Sequence, residues 1–104
     1  MDDVLYLLSS VSEQDDNGVW QNVYTWRRVF CKRGNITRSE FFNAGRNGLN
    51  ADIQLSIFGG DYEGEELLSY HDETYSIYRT FRTGDDYIEL YCERKAGTHG
   101  KGND

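Results

Sequence analysis

Two cysteines and two histidines are the residues of this chain suited to nucleophilic attack or metal capture. A cysteine nucleophile needs an imidazole within hydrogen-bonding reach, and a structural zinc needs ligands at short, fixed spacings. Cys31 and Cys92 lie far apart with no Cys-x-x-Cys spacing. His71 falls in a predicted turn and both cysteines in predicted strands, whereas His99 sits in a glycine-rich tail. The pattern predicts free, buried thiols and neither a disulfide, a metal site nor a Cys–His pair.

Adjacent carboxylates occur at Asp2-Asp3, Asp15-Asp16, Glu65-Glu66 and Asp85-Asp86. Neighbouring strand residues point to opposite faces, so such pairs cannot flank one substrate atom as general acid and base must. Their surroundings read as turns and edges, where acids are the ordinary composition. The run Asp15-Asp16-Asn17-Gly18 lacks the alternating ligands and closing glutamate of a calcium loop. No catalytic residue, cofactor or metal is expected.

A different chemistry is written in the charges. The 104 residues carry a net charge of −7, but residues 20–48 hold Arg27, Arg28, Lys32, Arg33, Arg38 and Arg46 against the single acid Glu40. Residues 1–19 and 49–78 contain acids and no lysine or arginine. Segregation of this kind marks a surface for nucleic acid or for an acidic partner, or else a face neutralised within the fold. Trp20, Tyr24 and Trp26 beside Arg27 and Arg28 resemble the aromatic-and-basic surface of small strand-binding barrels. The net acidity opposes independent binding to nucleic acid, and burial preferences place these aromatics in the core.

The elements that must position these groups are strands. Val4 to Ser12 is apolar and β-prone, and Asn17-Gly18 predicts a type I′ hairpin turn into a second strand, Val19 to Arg33, bent or bulged near Arg27-Arg28. Residues 34–50 break the pattern and read as a long loop with one helical turn around Phe41-Phe42; a connection of that length is usually functional or disordered. Asp52 to Phe58 alternates, with Ile53, Leu55 and Ile57 on one face. Glu66 to Tyr70, Thr74 to Arg82 and Tyr87 to Arg94 predict an antiparallel meander in which Tyr75, Ile77 and Phe81 share a face. The expected fold is all-β: a small antiparallel barrel or sandwich of about six strands, one domain over residues 1–95, with a long loop between strands 2 and 3. Residues 96–104 are expected to form a mobile tail. No apolar run is long enough to span a bilayer, and no basic start followed by an apolar stretch resembles a signal peptide, so a soluble chain made in the cytoplasm is expected.

The order of pieces resembles the head-tail joining, or head-closure, proteins of long-tailed bacteriophages, also called stopper or head-tail adaptor proteins. The resemblance spans most of the chain. It rests on the short first strand, Asp16-Asn17-Gly18 leading into Trp20, the long loop, the strand Ile53 to Phe58, the block Tyr70 to Phe81, and Asp86 to Arg94. One departure is clear: many relatives open with an arginine-rich strand, whereas this chain has no base before Arg27.

The resemblance implies a structural virion protein of the neck, without enzymatic activity, that assembles as a ring below the portal, closes the DNA-filled head and docks the tail. Its partners would be further copies of itself, a portal or connector adaptor protein, a tail-completion or tail-terminator protein, and DNA passing through the channel without sequence-specific contact. No membrane is involved, and assembly would take place in the host cytoplasm. A tail-completion or tail-terminator role, or a small nucleic-acid-binding barrel, is the alternative. Within this frame Arg38, Glu40, Phe41, Phe42 and Arg46 are the loop residues expected at the channel, with the two phenylalanines exposed in the isolated subunit. Arg27, Arg28 and Arg33 on one side, and Asp61, Glu63, Glu65 and Glu66 on the other, are the expected contacts between subunits, because complementary faces favour head-to-tail assembly.

Overall fold

A computed structural model describes residues 3–84 and 86–95. The tail expected over residues 96–104 lies outside the described residues. Six strands close into an antiparallel barrel in the order β1-β2-β3-β6-β5-β4, comprising β1 (Asp3–Gln14), β2 (Trp20–Gly34), β3 (Ile53–Phe58), β4 (Leu67–Tyr70), β5 (Glu73–Thr83) and β6 (Tyr87–Arg94). The barrel expectation holds. Alternation supplies the core: Leu5 and Leu7, Val29 and Cys31, Ile53, Leu55 and Ile57, Leu68 and Tyr70, Tyr75, and Ile88, Leu90 and Cys92 all turn inward. Both cysteines are free and buried, as expected.

The barrel is shorter than its first two strands. β1 meets β4 only at Tyr6 and Leu7, and β2 meets β3 only from Cys31 to Gly34. Beyond those points β1 and β2 pair only with each other, from Leu8↔Trp26 to Gln14↔Trp20. Seven paired positions at about 3.4 Å each make a two-stranded arm roughly 20 Å long. It gives the molecule its long dimension of 53 Å.

Three local expectations are corrected. The β1–β2 register runs unbroken through Arg27 and Arg28, so no bulge lies there. The slip in alternation marks instead the point where β2 leaves the barrel and its inward face loses a core to meet. A bulge does occur in β5, where the pairing with β6 shifts between Ile77 and Arg79. The extra residue, Tyr78, inverts the facing of the rest of the strand: Thr80 and Arg82 stand opposite the inward-facing Leu90 and Ile88, and Phe81 is exposed and does not share a face with Tyr75 and Ile77.

The third correction concerns turns. Among non-glycine residues described, positive φ occurs at His71 (50°) and Asp72 (65°), the two residues linking β4 to β5. Two successive positive φ values are what a type I′ hairpin requires, so that turn sits here and not at Asn17-Gly18. At the arm tip only Gly18 has positive φ, 83°. There the Asp15 carboxylate accepts the N–H groups of Asn17 and Val19, both at 2.9 Å, organising a wider loop.

Candidate functional site

Two elements leave the barrel from opposite ends of β2: the arm before Arg27, and a helix in the connection after Gly34. The loop expected over residues 34–50 contains α1 (Arg38–Arg46), more than the single turn its composition predicts. Thr37 caps it, its hydroxyl accepting the Glu40 N–H at 3.1 Å. Gly48, at φ 76°, ends it: the Gly48 N–H reaches the Gly45 carbonyl and the Leu49 N–H reaches the Ala44 carbonyl, a Schellman closure. The signals Thr37-x-x-Glu40 and Gly48 were legible in the sequence, but only Glu40 and Ala44 of the helix are buried, so no apolar periodicity announced it.

Glu40, expected at the channel, anchors α1 to the barrel. It is buried, and its carboxylate accepts a 2.7 Å bond from the Tyr78 hydroxyl and a charged bond from Arg79. The bulge in β5 explains the geometry, because the extra residue brings both Tyr78 and Arg79 to the helix. Arg79 in turn lies over the Tyr91 ring at 4.1 Å, and Tyr91 donates to Glu89 at 2.6 Å. Burial pushes the Glu40 carboxyl upward, but the hydrogen bonds from Arg79 and Tyr78 outweigh it and hold the group below its ordinary value. On the far side of the helix Phe41 and Phe42 are exposed, edge to face with centroids 5.7 Å apart, and Arg38 and Arg46 are exposed with them.

The remaining expected contacts divide. Arg27 and Glu65 form a salt bridge with each other at 2.8 Å within one chain, and Arg27 also donates to the Asp61 carbonyl at 2.6 Å. Glu65 further accepts from Ser9 and from the Glu63 N–H, at 3.1 and 2.8 Å. Burial of Glu65 would raise its pKa, yet Arg27 and the other donors keep it lowered. The pair is therefore a strut tying the segment before β4 to the root of the arm. One pair from the basic and acidic blocks thus meets inside the fold. Arg28, Arg33, Glu63 and Glu66 remain exposed.

The aromatics of β2 are the largest departure. Trp20 and Tyr24 are 68% and 61% exposed, not core residues, because the arm runs beyond the barrel and only the segment around Glu65 reaches it, at Ser9. Even-numbered residues from Trp20 to Lys32 share one face of β2, so Trp20, Asn22, Tyr24, Trp26, Arg28, Phe30 and Lys32 form one row, exposed except for the half-buried Trp26. The Arg28 guanidinium lies 5.8 Å from the Phe30 ring centre.

The groups singled out for chemistry are dispersed. His71 stacks on Tyr70 at 4.0 Å, and its Nε2 lies 3.0 Å from the Asp3 carboxylate, which also accepts the Tyr70 hydroxyl at 2.7 Å. That hydroxyl bond, then the Val4 N–H, lowers the Asp3 pKa. Burial pushes the Cys31 thiol up to about 12 and raises Cys92 further, so both are protonated near neutral pH. Among the described residues no group of three or more His, Cys, Asp or Glu side chains is placed to hold a metal.

No protein-family model matches the chain, and no curated protein matches it. Two exposed surfaces stand out: an aromatic row on β2 and a phenylalanine pair on a helix clamped to the barrel.

Proposed function

We propose that this chain is a ring-forming structural protein of the phage neck that closes the filled head and offers a docking surface to the tail. The observation that carries the reading is the connection between β2 and β3. It is a capped helix, fixed to β5 through Glu40, that holds Phe41 and Phe42 out from the barrel. A monomer gains nothing by exposing two adjacent phenylalanines on a rigid support, whereas a subunit whose inserted segment lines a channel or meets a neighbour does. The closed barrel agrees with the small β-barrel that the resemblance implies.

The test is the mass of the purified protein by light scattering, alone and mixed with a portal–connector complex. Co-assembly into one large particle supports the neck role. A protein that ignores the connector at micromolar concentrations sinks it. A tail-completion or tail-terminator role shares the ring and differs in position, so binding to isolated tails in place of the connector would select it.

A second reading is favoured by one observation, the outward row Trp20, Tyr24, Trp26, Arg28, Phe30 and Lys32, which combines stacking surfaces and cations as single-strand binders do. The net charge of −7 opposes it. A gel shift with single-stranded DNA whose affinity falls steeply with salt would favour it over the neck role, because a ring protein needs no affinity for free DNA.

A further inference from the structure

The outer faces of three barrel strands bring aromatic rings to one level. Phe58 of β3 stands directly opposite Tyr87 of β6, and continuing the β2–β3 register by one step sets Phe30 opposite Phe58. All three are more than half exposed. With Lys32, Asp61 and Thr83 they line a cleft of about 560 Å³, open to solvent. Arg28 and Lys32, both exposed, flank Phe30 on the same face of β2. The cleft is thus aromatic with a cationic border, Asp61 being its one acidic lining residue.

The arm is its chemical complement. From Leu8 to Trp26 the chain carries Glu13, Asp15 and Asp16 and no lysine or arginine. Around the acidic tip Val11, Val19, Trp20 and Tyr24 are all exposed. Tryptophan and tyrosine are the residues that most often anchor protein interfaces when seated in a pocket.

An arm cannot occupy its own cleft. Trp20 and Phe30 lie ten positions apart on one unbroken strand, hence roughly 33 Å apart, and the continuous β1–β2 ladder gives the arm no hinge. We propose that the arm of one molecule docks in the aromatic cleft of a second copy, Trp20 seating among Phe30, Phe58 and Tyr87 while the acidic tip meets Arg28 and Lys32. The contact joins two different surfaces, so each molecule offers one free arm and one free cleft and assembly runs head to tail. This rests on the ring reading and supplies it with an interface.

Complementation tests it. Trp20→Ala breaks the arm and Phe58→Ser breaks the cleft; both side chains are exposed, so each variant keeps the barrel, and Phe30→Ser replaces the second if it unfolds. By sedimentation velocity the wild type forms oligomers, and each variant weakens self-association by about thirtyfold or more. An equimolar mixture of the two variants has one intact arm and one intact cleft between two molecules, so it forms heterodimers and stops there. High salt weakens both the oligomer and the heterodimer. A wild type that stays monomeric to millimolar concentration, variants that associate like wild type, or a mixture that stays monomeric each overturn the proposal. Self-association lost in both variants, with a wild type that never joins the connector, keeps this contact and removes the neck role; connector particles that form equally well from Trp20→Ala do the reverse.

Discussion

The two halves of β2 are built from the same kinds of residue and meet opposite fates. From Val29 to Gly34 its odd-numbered apolar residues, Val29 and Cys31, are buried against the inward rows of β1 and β3. From Trp20 to Trp26 the strand is at least as rich in apolar side chains, yet none of it is fully buried. β1 is a hydrogen-bonded partner in both halves, and the barrel half also pairs with β3 from Cys31 to Gly34. The layer across the face differs too: in the barrel a second row of side chains closes over the first, whereas on the arm only the segment carrying Glu65 reaches in, at Ser9. Backbone pairing therefore sets the shape of both halves, and burial sets the stability of only one.

The sharpest way to break this contrast is a truncation inside the barrel. Leu90 is fully buried in β6, and Leu90→Ala should cost about 2–5 kcal/mol, a large part of a small domain's stability, read from the urea midpoint. Val11→Ala, an apolar truncation in the arm of the same fold, should fall within about 0.5 kcal/mol of wild type. Equal losses at both sites would mean that the arm is packed in the monomer after all.

The next largest effect belongs to the clamp between helix and barrel. Glu40→Gln leaves Arg79 without its charged partner and should cost about 1–3 kcal/mol, with amide protection lost across α1 before the barrel opens. The same group carries a pH signature. Glu40 and Glu65 both have folded pKa values below the ordinary 4.5, so their contribution is fully present above that value and is lost as pH falls through it toward the folded values. Stability should decline below about pH 4.5, and the decline should be shallower in Glu40→Gln. An identical acid profile in the variant would show that the carboxylate is not held by Tyr78 and Arg79 in solution.

These tests also mark where the sequence was readable. Strand positions and the inward rows of β3 and β6 followed from alternation, because a half-buried strand writes its environment with period two. The bulge at Tyr78 did not, since one inserted residue leaves composition unchanged and only inverts the facing of Phe81. The turn at His71-Asp72 is legible from composition, but its paired positive φ values are not, because Asn-Gly is the stronger signal for that conformation. The helix escaped because it is held by one buried carboxylate and not by an apolar stripe. The exposure of Trp20 and Tyr24 could not be foreseen either, for an aromatic residue on a strand reads as core until the strand is seen to outrun the barrel.

A smaller effect tests how the helix ends. At φ 76° an added Cβ at Gly48 meets no neighbour but strains the backbone, so Gly48→Ala should cost about 1 kcal/mol, visible as faster amide exchange at Leu49 with barrel amides unchanged.

A small effect on the monomer is also expected from the two residues that carry the proposed neck role. Phe41 and Phe42 touch each other edge to face and are 57% and 56% exposed, so Phe41→Ser with Phe42→Ser removes little that the barrel uses. Monomer stability should stay within about 0.5–1 kcal/mol of wild type, since only the pair's own contact and some helix propensity are lost. On the proposed neck role, assembly or retention of packaged DNA should nevertheless fail, as seen in particle yield and in nuclease-accessible DNA. The dissociation of the two readouts is what counts, because a core residue loses both together and an idle surface residue loses neither. If the double variant unfolds, the phenylalanines belong with Leu90 on the buried side of the comparison, and the helix is a lid on the barrel and not a projection from it.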